Sequence, residues 1–125
     1  EAPYTILYFF DPDCGHCQDV TPKMVDVYKK YKDDGVKVFA VNTQVEEKKW
    51  RNFIKDYNME DWINVADLRA RSNFRDSYDI RSTPKTFLLD EDKTIIGKRI
   101  GPKQVDKLLS KKLDDQAAKT KKSDK

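Results

Sequence analysis

Residues 8–22 read YFFDPDCGHCQDVTP. An apolar run stops at an Asp-Pro-Asp turn, and Cys14 and Cys17 follow with only Gly15 and His16 between them. The chain has no other cysteine and no other histidine. Upstream, Thr5 to Phe10 (TILYFF) is continuous, apolar and β-prone, the pattern of a strand buried on both faces of a sheet. Downstream the period changes. Cys17, Val20, Met24, Val27 and Tyr31 recur at helical spacing, which predicts a helix to about Tyr31.

The cysteines therefore stand where a buried strand hands over to a helix. There the Cys14 sulfur meets unpaired backbone N–H groups and the positive end of the helix dipole. Both favour thiolate over thiol, which makes a cysteine nucleophilic near neutral pH. Cys17, one turn on and on the same face, is placed to attack a mixed disulfide formed at Cys14. Gly15 lets the turn pass close to a substrate backbone. His16, if protonated, adds a charge that stabilises the reduced form, while Asp11 and Asp13 act in the opposite sense.

Further along, VKVFAVN (Val36 to Asn42) reads as a second buried strand after the break at DDG. Trp50, Phe53, Ile54 and Tyr57 mark a helix over roughly Glu46 to Tyr57. INVAD suggests a short strand and SNFRDSY a short helix. KTFLLD and TIIGKRI are two strands joined by an acidic turn, so they form a hairpin. Gly101 and Pro102 open a last helix with Val105, Leu108, Leu109 and Leu113 inward. The early βαβ unit requires parallel strands, so the expected fold is α/β: a mixed sheet of four to five strands with helices on both faces. TILYFF is central, flanked by VKVFAVN and KTFLLD. The edge beyond VKVFAVN is open unless INVAD covers it.

The 125 residues form one domain over 1–113, followed by a polar, disordered tail over 114–125. Hydrophobic and charged residues each make up 38%, which describes a core with a heavily charged surface and no need of disulfide staples. The net charge of +3 comes from well-mixed ions, so no nucleic-acid partner is expected. No apolar run is long enough to span a membrane. The chain starts at Glu1, almost directly on a central strand, which leads us to expect a domain cut from a longer, exported parent with an upstream domain.

CGHC after a buried strand, Pro22 five residues past Cys17, and STPKTFLLD further on resemble the thioredoxin superfamily. The closer resemblance is to its TlpA/ResA-like branch. YFFDPDCGHC, the W-NVAD and SNFR segments and KRIG look similar to C-terminal thioredoxin domains of larger exported proteins of anaerobic Gram-negative bacteria. The resemblance covers about residues 4–113. It implies a thiol–disulfide oxidoreductase acting in the periplasm or otherwise outside the cytoplasm. Cys14 would attack, Cys17 would resolve, and Pro84 would be a cis-proline facing both. Thr83 would present its backbone to an extended substrate, Gly101 would sit on the rim, and Pro22 would kink the first helix. No bound cofactor or metal is implied, because the Cys14–Cys17 disulfide carries the electrons. The partners would be protein thiols and disulfides, together with a redox partner that resets the pair.

The chain departs from the pattern in places. Asp13 stands where tryptophan is common, Tyr8 replaces the buried acid of thioredoxin, and Phe39 replaces the lysine paired with that acid. The proton-relay candidates are Glu46, beside the position where the branch often has glutamate, and Tyr8 with a bound water. Plainer readings stand beside these. The cysteines could be a structural disulfide or core thiols, CGHC a metal site, His16 a surface residue and Glu46 a helix-start acid. Two other functions compete with exchange: a redox-silent binding domain and a thiol-based copper carrier.

Overall fold

A computed structural model describes residues 3–66 and 82–123. Five strands form one sheet: β1 (Thr5–Phe10), β2 (Lys37–Asn42), β3 (Ile63–Ala66), β4 (Lys85–Leu89) and β5 (Ile95–Lys98). The α-helices among the described residues are α1 (Gly15–Tyr31), α2 (Glu47–Asp56) and α3 (Pro102–Ser123). The strand order is β3-β2-β1-β4-β5. β1 pairs parallel to β2 and antiparallel to β4, so the sheet is mixed with TILYFF at its centre. β3 pairs parallel to β2 and covers the edge the sequence left open. The short helix expected at SNFRDSY lies outside the described residues.

Alternation along β1 sends its side chains to two cores. Ile6, Tyr8 and Phe10 join Met24 and Val27 of α1, Phe53 of α2, and Val105 and Leu109 of α3. Leu7 and Phe9 join Val41, Phe87 and Leu89 on the other face. Phe10 stacks on Phe53, ring centroids 5.1 Å apart, which fixes α2 over the C-terminal end of β1. Trp62 is buried edge-on to Tyr8, so it belongs to the core. The register corrects one expectation. Tyr8 lies abreast of Ala40, while Phe39 lies abreast of Leu7 and packs on the opposite face. Phe39 therefore does not occupy the place of a lysine facing Tyr8; on that face the neighbour is the Ala40 methyl.

The last helix also differs from the sequence reading. A tail with nothing to bury was expected from Asp114, yet α3 runs on to Ser123. After Pro102 the chain meets no proline or glycine stop, and Gln, Ala and Lys propagate a helix well. The Gln116 side chain also donates to the Tyr4 hydroxyl at 3.2 Å, which ties the added turns to the start of β1. Nearer its start, α3 is held to α1 by Asp106, which accepts from Lys30 Nζ at 3.0 Å and from the Tyr31 hydroxyl.

Gly35 closes the connection from α1 to β2 with φ 86°, the left-handed region. A Cβ there would stand 2.9 Å from Pro3 Cδ, a ring atom that cannot rotate away. Gly35→Ala combines backbone strain with this clash and should cost about 1–3 kcal/mol. Denaturant midpoints of the reduced protein check it; an unchanged midpoint would show that Pro3 moves aside freely.

Candidate active site

Asp11, Pro12 and Asp13 turn the chain off the end of β1. Asp11 Oδ1 accepts from Asp13 N at 2.8 Å, and the Asp11 carbonyl accepts from Cys14 N at 3.0 Å. This delivers Cys14 to the N-cap of α1 in extended conformation. Serine, threonine or aspartate normally caps a helix through a side-chain oxygen. Here sulfur does so: Cys14 Sγ accepts from Cys17 N at 3.3 Å. The helix therefore presents a donor to this sulfur before any substrate arrives.

Across the site the Thr83–Pro84 peptide is cis, and Cys14 Sγ donates to the Thr83 carbonyl at 3.4 Å. Both cysteines are free thiols, Cys14 half-buried and Cys17 fully buried. Their acidities separate. Burial pushes the Cys14 pKa up, but bonds from the Thr83 and Cys17 side chains and from the Cys17 and His16 backbone outweigh it and leave it below the ordinary thiol value. The Thr83 carbonyl opposes this, since an acceptor holds the proton on sulfur. Burial pushes Cys17 up to about 12, helped by its bond to Cys14 and the nearby charge there. One sulfur is thus partly exposed and the more acidic, and the other is a shielded thiol.

Behind Cys17 lies a pair of hydroxyls. Thr21 Oγ1 donates to the Cys17 carbonyl at 2.6 Å and lies 2.8 Å from the Tyr8 hydroxyl. With its own proton engaged, Thr21 accepts from Tyr8. Both side chains are fully buried, and burial raises the Tyr8 pKa far above neutrality. Tyr8 is therefore a donor to Thr21, buried behind Cys17. Thr21 was missed in the sequence; its only signal was a hydroxyl just before the intrahelical Pro22.

Glu46 stands exposed ahead of α2 and makes no capping bond. The groups acting on the Cys17 proton are instead the Asp11 backbone, Thr83 and Cys14. From the same helix Lys49 pairs with Asp13 at 3.0 Å, an exposed bridge that ties α2 to the active-site turn. At Gly15 a Cβ would meet nothing within 4 Å, so its bareness serves no internal contact and leaves open space beside Cys14. His16 and Gly101 are brought together with Pro84 around one cavity. Among the described residues, no three His, Cys, Asp or Glu side chains converge as a metal site would need.

Comparison with known proteins agrees with this geometry. The thioredoxin-like family matches residues 3–95, and the chain belongs to it, in its TlpA/ResA-like branch. It is 29% identical over 102 residues to the thiol-disulfide oxidoreductase ResA of Bacillus cereus, covering 82% of this chain and 57% of that one. It is 32% identical over 96 residues to ResA of Halalkalibacterium halodurans, covering 77% and 53%. The chain thus spans little more than half the length of these relatives. A crystal structure described as a domain of a possible thiol-disulfide isomerase from Cytophaga hutchinsonii superposes with a TM-score of 0.83 at 38% identity, covering 94% of this chain and 80% of that one.

The split acidities predict an order of modification. In the reduced protein Cys14 should alkylate first, at a rate that rises through a midpoint lowered from the ordinary thiol value and then levels. Cys17 should stay unmodified until near pH 12 or until the protein unfolds. Because its folded pKa is raised, the stability from keeping Cys17 protonated is intact below the unfolded thiol pKa and declines as pH rises toward 12. Iodoacetamide labelling with peptide mass mapping reads the order; faster labelling of Cys17 would reverse the two roles.

Proposed function

We propose that this chain exchanges disulfides with protein thiols through Cys14 and Cys17. The observation that carries this reading is the sulfur cap. Cys14 Sγ accepts the Cys17 N–H, lies against Thr83 of the cis Thr83–Pro84 pair, and has a buried partner thiol one turn behind it. The Cys14 thiolate attacks a substrate disulfide, whose S–S bond breaks to release one substrate sulfur and leave a mixed disulfide. Cys17 then attacks the Cys14 sulfur, and the second substrate sulfur departs. Two electrons pass from the cysteine pair to the substrate, and the Cys14–Cys17 disulfide forms.

The pair is its own electron store, so the step needs no bound cofactor. A separate redox partner returns the two electrons. Thr83 offers backbone to an extended segment, as in strand-addition recognition. Likeness to the ResA proteins supports a site of action outside the cytoplasm. Among the described residues no helix is long and apolar enough to cross a membrane.

Two substitutions test the roles. Cys14→Ser should abolish reduction of insulin disulfides, because no other exposed thiol remains. Cys17→Ser should accumulate a mixed disulfide at Cys14, visible as a mass adduct lost on adding dithiothreitol. Turnover surviving Cys14→Ser would remove the reading altogether.

A further inference from the structure

Cys17 is held through its backbone on both sides. Its N–H donates to Cys14 Sγ at 3.3 Å, and its carbonyl accepts from Thr21 Oγ1 at 2.6 Å. The Thr21 hydroxyl in turn stands 2.8 Å from the Tyr8 hydroxyl on β1, the central strand. Thr21, Tyr8 and Cys17 are all fully buried, so water does not compete for these bonds. The peptides before and after Cys17 are therefore both fixed. With φ and ψ set, its Cα–Cβ bond has one direction, and only the χ1 rotor remains to place the sulfur.

The helix itself has no need of the Thr21 hydroxyl. Within an α-helix the carbonyl of residue i is met by the N–H of residue i+4. A threonine hydroxyl added to that same carbonyl tends to bend a helix and to weaken it slightly. The next rung, from residue 22 to the Gln18 carbonyl, is missing because Pro22 has no N–H. The turn that carries Cys17 thus lacks a rung of its own ladder, and the Thr21–Tyr8 pair ties it to the sheet.

We propose that Thr21 is a positioning residue for the second step of exchange: its hydroxyl, anchored to β1 through Tyr8, holds the Cys17 backbone so that the Cys17 sulfur meets the disulfide between Cys14 and the substrate. This rests on the exchange reading above and assigns a residue to one step of it. In that step a bond forms between the Cys17 and Cys14 sulfurs, and the bond from Cys14 to the substrate sulfur breaks. The proton that Cys17 gives up ends on the departing substrate thiol. The first step, attack by Cys14, needs neither hydroxyl. The second brings two protein sulfurs together, and a misplacement of about 1 Å can cost on the order of 10²-fold in such a step.

The test follows both steps in one reaction. Reduced protein is mixed with one equivalent of a peptide whose single cysteine is blocked as a disulfide with 2-thiopyridine. The Cys14 thiolate attacks the peptide sulfur and 2-thiopyridone leaves, so absorbance times the first step. Mass spectrometry of acid-quenched samples shows the Cys14–peptide adduct rise, then fall as Cys17 expels the peptide thiol, which times the second.

Thr21→Val keeps the branched shape and removes the hydroxyl. It should leave the first rate unchanged and slow the second about tenfold. The slowing should be the same factor across the neutral pH range. Thr21→Ser should resolve the adduct at close to the unsubstituted rate, although it deletes a buried methyl. Thr21→Val also leaves the Tyr8 hydroxyl buried without its partner, so the melting temperature should fall. Adding Tyr8→Phe removes both partners and should recover the melting temperature but not the second rate.

Resolution at the unsubstituted rate in Thr21→Val would overturn the proposal while the exchange reading stands. So would a double variant that regains the second rate along with its melting temperature. A slowing that changes with pH would put the hydroxyl to work on the Cys17 proton and likewise overturn the positioning role. No thiopyridone release from the unsubstituted protein would sink both readings.

Discussion

The hydrogen bond from Cys17 N–H to Cys14 Sγ is the constraint on which the site depends. It serves two purposes. As an N-cap it satisfies one of the donors that every helix start leaves unpaired. As a bond to sulfur it favours negative charge there, supported by the helix dipole. Neither purpose is met unless β1 ends at Phe10 and the Asp11 turn brings Cys14 into extended conformation. That turn in turn needs β1 held from both sides, which β2 and β4 provide through long-range pairing. The Cys14 sulfur is thus placed by the sheet, although its nearest contacts are local.

Much of this could be read from the residues, because it rests on local rules. TILYFF had to be central, since both alternating sets of its side chains are apolar, and the structure buries them in two separate clusters. The cysteines had to open a helix, since the period switches at that point. What escaped the reading was set by register and side-chain direction. Phe39 was assigned to the Tyr8 face, but the parallel register puts Ala40 there. The continuation of α3 was missed because a polar stretch gives no burial signal, while Gln116 finds its partner 112 residues away on Tyr4. The cavity beside His16 joins α1 to the strands and loop near the other end of the chain, a juxtaposition no periodicity reports.

Glu46 and Tyr8 show why chemistry is harder to read than fold. A glutamate next to the expected position looks correct in sequence, but a helix start can hold it in water as easily as over the cysteines, and here it is exposed. Tyr8 is the reverse case. It does lie behind Cys17, yet burial raises its pKa against the opposing effect of the Thr21 bond, and its hydroxyl points to Thr21.

That fixed proton alters how the site responds to pH. An ionised carboxylate buried behind the cysteines would cost several kcal/mol unless paired, and would commonly titrate near neutrality instead. The Tyr8–Thr21 pair fills this space with neutral groups whose protons are already committed, one to Thr21 and one to the Cys17 carbonyl. It lends the first turn of α1 a polar anchor without adding charge, at about the 0.5–1.5 kcal/mol a net hydrogen bond contributes. Pro22 follows at once and has no N–H to give to the Gln18 carbonyl, and one residue earlier the Thr21 side chain bonds the Cys17 carbonyl. Among the described groups acting on Cys17, the one that can carry charge is then Cys14 itself. Burial holds Cys17 up at about 12 while hydrogen bonds lower Cys14, so the more exposed sulfur of the reduced pair gives up its proton first.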